Sequence, residues 1–155
     1  MTGRPLIAVG IVATLGLVAA ALAAYAGVGF PRHLLLGVGA VALLLVAHLT
    51  LLVYLVRSRK VVIELVASAG LEPELASAAD RQVRLLFPWL AGFALITVAT
   101  IVAGGAAFTN SLPLAVHHAL AWMAVAAQGA VVWIESRLMA EHRGLVAAIN
   151  TRLTA

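Results

Sequence analysis

The residues able to carry chemistry in this sequence are five histidines: His33, His48, His117, His118 and His142. His33 opens an apolar run that ends at the basic cluster Arg57-Ser58-Arg59-Lys60, and His48 lies deep inside that run. His117 and His118 open a second apolar run, and His142 lies among charges beyond its end. A neutral imidazole ligates metals and haem iron and exchanges protons near neutral pH. His33 and His48 are fifteen positions apart, about 22 Å along a helix, so they define two separate candidate sites. His33, His117 and His118 begin helices that run the same way and therefore reach one level, where haem b, a quinone or a metal such as copper could be held. At a water boundary the same three need no partner. His117 and His118 diverge by about 100° on a helix, so at most one of them faces a given neighbour.

His48 is a different case, because a buried imidazole demands a hydrogen-bond partner. Thr14, Thr97 and Gln128 fall near its expected depth and are the candidate buried polar partners. A haem, quinone or proton-path role is the functional alternative to a satisfied core histidine. His142 reads as a solvated residue. Other chemistry is scarce: there is no phosphate-binding glycine loop, HExxH, Ser/His/Asp arrangement or carboxylate pair inside an apolar run, so hydrolytic catalysis is not expected. No Asp, Glu, Lys or Arg interrupts the apolar runs, which argues against an ion channel. The absence of cysteine excludes disulfides, thiolate-bound zinc and iron–sulfur clusters.

These side chains need elements to position them, and composition names the class of element. Of the 155 residues, 64% are hydrophobic and 10% charged, with a mean hydropathy of +1.10. That is far from a soluble domain and predicts an all-α integral membrane protein: a single-domain four-transmembrane-helix bundle of two antiparallel hairpins. Spans are expected at residues 5–28, 33–56, 86–108 and 114–135, each near the length a bilayer requires. Apolar spacing continues past the spans and predicts a cytoplasmic helical hairpin over 57–85 and a cytoplasmic helix over 136–153. Pro88 marks a kink or fresh start in the third span. Residues 1–23 also resemble a cleavable signal peptide, with Arg4 ahead of an apolar stretch and Ala21-Leu22-Ala23 as a small-x-small site; the expectation is an uncleaved span. Small residues at Gly16, Ala20 and Ala24 and at Ala19, Ala23 and Gly27 invite close backbone approach.

Basic residues set the orientation. Arg4, Arg57, Arg59, Lys60, Arg81, Arg84, Arg137, Arg143 and Arg152 fall on one side and Arg32 on the other, placing both termini in the cytoplasm. The net charge of +4 and pI near 10.7 are therefore read as topology signals, not as a nucleic-acid surface. The two hairpins share an order of glycines, aromatic, proline and histidine (Gly27, Gly29, Phe30, Pro31, His33 against Gly104, Gly105, Phe108, Pro113, His117), though with unequal spacings. The expected function is that of a non-catalytic membrane subunit or scaffold, with the lipid bilayer and other membrane subunits or further copies of itself as partners. The alternative is a b-type haem or quinone-binding electron-transfer subunit using histidines of helices two and four.

Overall fold

The computed structural model describes residues 4–154, with side chains from Ala8 onward. The side chains of Arg4 and Pro5, and residue 155, lie outside the described part. Four helices make up the fold: α1 (Arg4–Ala23), α2 (Phe30–Ser68), α3 (Pro73–Phe108) and α4 (Leu114–Thr154). Three of them, α2, α3 and α4, are long and apolar enough to cross a membrane, and the apolar part of α1 with described side chains, Ala8–Ala23, is shorter. Large apolar side chains also point outward, Leu35, Leu95 and Val102 among them. Both features are consistent with a membrane protein.

One device ends the first three helices. Val28 N–H donates to Ala23, Leu71 N–H to Val66 and Ser111 N–H to Ala106, each reaching back five residues. The residue before each donor is left-handed: Gly27 at φ 69°, Gly70 at φ 63° and Asn110 at φ 57°. These are Schellman closures, which need glycine or, less often, asparagine at the left-handed position. Pro31, Pro73 and Pro113 follow within four residues, where a missing N–H costs nothing at the start of the next helix. The cap at Gly27 explains why α1 stops at Ala23 and does not run to residue 28. No fresh start occurs at Pro88: α3 passes through it unbroken, and the fully buried Leu86 beside it anchors that turn in the core. Gly144 likewise lies within continuous helix.

Each helix packs against its neighbours in sequence, and α1 closes the ring against α4, while α2 and α4 face each other across the diagonal. Alternating direction makes that diagonal pair parallel. The small residues of α1 are used inside the ring, since a Cβ on Gly16 would sit 3.4 Å from that of Ala40, and one on Gly37 4.0 Å from that of Ala20. At 20 residues α1 is half the length of α4 at 41, so the other helices continue beyond it as a three-helix extension. There Val62, Val66, Ala79, Leu145 and Ile149 form an apolar core. Ion pairs Arg59–Asp80 at 2.7 Å and Arg152–Glu72 at 2.9 Å edge the extension; being solvated, each contributes no more than about 1 kcal/mol.

Candidate functional site

Polar side chains bridge α2 and α4 at three levels. His33 lies opposite His117, with ring centroids 5.9 Å apart and planes at 87°. Ser58 Oγ lies 2.8 Å from His142 Nε2, 84 positions away in sequence. The first pair has the same offset, so α2 and α4 keep one register along their length. His48, between the two levels, meets Gln128 and Glu135.

The level nearest the 24–29 and 109–113 turns holds a cavity of about 500 Å³ among all four helices. Its lining is mostly apolar, with Ala20, Gly37, Gly104 and Thr97 giving it width, and the stacked rings of Phe30 and Phe108, 4.0 Å apart, stand at its end. His117 is held firmly there. Its Nδ1 lies 3.1 Å from the Thr100 carbonyl, which can only accept, so Nδ1 carries the proton and Nε2 keeps a free lone pair. Gly104 makes room for this ring, because a Cβ there would come within 3.0 Å of it. His118 turns to another neighbour, packing 4.6 Å from Tyr25, whose hydroxyl accepts from Trp122 Nε1 at 3.3 Å. His33 Nδ1 and His118 Nε2 are enclosed and have no hydrogen-bond partner. Among the described residues no group of three or more His, Cys, Asp or Glu is arranged to hold a metal ion.

At the middle level His48 is buried, with Nε2 2.9 Å from Gln128 Oε1 and Nδ1 2.7 Å from Glu135 Oε1. Gln128 Nε2 in turn donates to Thr14 Oγ1 at 3.2 Å. Thr97 is not part of this network. Its hydroxyl donates to the Phe93 carbonyl at 2.8 Å, and the residue lines the cavity above. Glu135 is the partner that sequence reasoning missed, having read it as the polar end of a span. The register shows why: Arg57 is level with Glu141, so Glu135 sits about 9 Å deeper. The available signal was Gln128, Glu135 and His142 at seven-residue spacing, which marks one helix face.

His142, expected to be solvated, is 2% exposed. It bonds Ser58 through Nε2 and Gln82 Oε1 through Nδ1 at 2.9 Å, and a neutral ring protonated on Nδ1 satisfies both. Burial pushes its pKa down from 6.5. The unfolded chain therefore binds a proton that the folded extension resists, so stability is full above about pH 6.5 and falls as pH drops toward the lower folded value. Amide protection around Val62 and Leu145 is expected to decline on acidification through that window, and His142→Gln to flatten the decline; an unchanged slope in the variant would assign it to other groups.

Apolar layers separate the three levels. Leu44, Phe93, Val131 and Ala13 pack between the cavity and His48, and Leu51, Leu55, Leu86, Leu138 and Met139 between His48 and His142. The chain matches no protein-family model, no curated protein and no solved structure.

Proposed function

We propose that this is an integral membrane protein of four spans whose cavity binds a lipophilic ligand with hydrogen-bonding oxygens, of the quinone class. The basic residues crowd the end opposite the 24–29 and 109–113 turns, which supports a topology with both termini in the cytoplasm. The observation that carries the ligand reading is the pair of enclosed ring nitrogens, His33 Nδ1 and His118 Nε2, beside an apolar cavity of about 500 Å³. An enclosed polar atom without a partner costs about 1–3 kcal/mol, and ligand oxygens would remove that cost. A flat ring fits between small side chains, and an apolar tail fits between helices.

A second reading, haem b between His33 and His117, has one specific support. The His33 and His117 rings, 5.9 Å apart on the facing helices α2 and α4, would hold the iron through their ring nitrogens, and the haem would supply one-electron redox chemistry. The subunit or scaffold role draws less support from the Gly16 and Ala20 face of α1, which packs within the chain; Ala19 and Gly27 on the other small-residue face, and Val61, Ile63, Val146 and Leu153 on the extension, are exposed and open to a partner.

Protein purified in mild detergent is expected to lack a Soret band and to yield a quinone-class compound on organic extraction. His33→Leu and His118→Leu should each lower its retention about five- to tenfold, the worth of one hydrogen bond. A Soret band would favour haem. Colourless protein with an empty extract and a co-purifying polypeptide would favour the scaffold. Reporters fused after Thr154 and within 109–112 should fall on opposite sides of the membrane.

A further inference from the structure

We propose that His48 and Glu135 form a one-proton binding site that latches α1 onto the bundle, whatever the cavity holds. The hydrogen-bond directions follow one from another. Thr14 donates its hydroxyl proton to the Gly10 carbonyl at 2.7 Å, so its oxygen must accept from Gln128 Nε2. The Gln128 amide is thereby oriented with Oε1 toward His48, and His48 Nε2 must carry a proton to donate to it. That leaves the 2.7 Å gap between Nδ1 and Glu135 Oε1, which accommodates a single further proton. With that proton present, on either atom, each link from Glu135 Oε1 through His48 and Gln128 to Thr14 has one donor and one acceptor, and the pair is neutral overall. A second proton would add an unbalanced positive charge and an acid hydroxyl with no acceptor, at a high cost in this setting.

Loss of the proton has a definite path. The proton departs to water and Glu135 remains a carboxylate facing a bare lone pair. His48 restores the bond by moving its remaining proton from Nε2 to Nδ1. Its Nε2 is now an acceptor, so Gln128 must flip to present its amino group, which turns Oε1 toward Thr14. Thr14 then has to release the Gly10 carbonyl or face oxygen against oxygen. One proton at the His48–Glu135 pair is thus registered at the backbone of α1.

The surroundings keep this chain isolated. From α3 the pair meets the ring of Phe93, 5.5 Å from His48 and edge-on. From α1 it meets Thr14 through Gln128, and among the described residues neither His48 nor Glu135 pairs with another charged group. The Gln128–Thr14 bond is also, among the described residues, the one side-chain hydrogen bond joining α1 to another helix. Van der Waals packing, at Ala13, Gly16, Leu17 and Ala20 among others, holds the rest of α1.

The test uses the full chain in detergent micelles with ¹⁵N-labelled histidine, following the His48 ring nitrogens and amide exchange over residues 10–20 as pH is raised. The expected result is one step in which Nε2 loses its proton and Nδ1 gains one, accompanied by at least a tenfold loss of α1 protection after correction for intrinsic exchange. Glu135→Gln should remove the step and keep α1 protected, because its amide donates to Nδ1 at every pH. Thr14→Val should keep the step at His48 while α1 no longer responds to it. The proposal is overturned if wild type shows no step before unfolding, if Glu135→Gln shows the same step, or if α1 protection ignores it.

Discussion

Glu135→Leu alone is expected to destabilise the bundle by about 3–5 kcal/mol, and His48→Leu with Glu135→Leu to recover part of that loss. A single leucine leaves His48 Nδ1 buried with nothing to bond, and any charge it acquires goes unbalanced. The double change removes both desolvation costs and puts apolar side chains beside Leu44, Leu51 and Val131, which are already buried there. Gln128 keeps its bond to Thr14 in either case, but in the double variant its Oε1 loses His48, which leaves about 1–3 kcal/mol unrecovered. Reversible unfolding in mixed micelles, run as a double-mutant cycle, reads the coupling directly. A double variant as unstable as Glu135→Leu would mean that the pair's surroundings do not tolerate an apolar replacement.

Phe93→Ala is expected to cost a similar amount, about 3–5 kcal/mol, the usual range for deleting a buried aromatic ring. Phe93 is 2% exposed, and its ring stands between the cavity and His48, so the vacated space joins the two. The second effect is therefore on access: His48 ring protons should exchange with water faster in the variant. Phe87→Ala provides the control, since Phe87 is 62% exposed and its removal should change stability by about 0.5 kcal/mol or less in detergent. Equal losses for the two variants would place the Phe93 ring outside the core.

Helix number and the long extensions were legible because glycine, asparagine and proline fall at the ends of apolar runs, where chain geometry demands them. The facing of the helices was not. A helix apolar on both its packed and its outward side carries no hydrophobic stripe, so the 3.6-residue period that normally orients a helix is absent. Only polar residues could report a face, and two of them sat where the sequence suggests water. Glu135 precedes Ser136 and Arg137, and His142 lies between Glu141 and Arg143, yet both turn inward because α4 continues packing on α3 past those charges. His33 and His117 were placed at one level by counting from helix starts, which works because each is the fourth residue of its helix. Thr97 was placed by depth alone, and depth says nothing about a hydroxyl that bonds its own helix.

The shared register makes α2 and α4 a vernier. Sliding α4 by one turn, about 5.4 Å, would set Ala121 against His33, Val132 and Met139 against His48, and Val146 against Ser58, so all three bridges would fail together. A slip of seven residues would offer His48 a new pair, Glu135 and His142, but would leave Ala124 opposite His33 and Ile149 opposite Ser58. Each polar group stranded at the His48 and Ser58 levels costs about 1–3 kcal/mol, and the His33–His117 ring contact is lost with them. Shear along this diagonal is therefore closed as a mode of motion, and the pair acts as a fixed axle. Any working movement falls to α1, which a single side-chain hydrogen bond, Gln128 to Thr14, ties to the axle among the described residues, so that it swings away from the axle and does not slide along it.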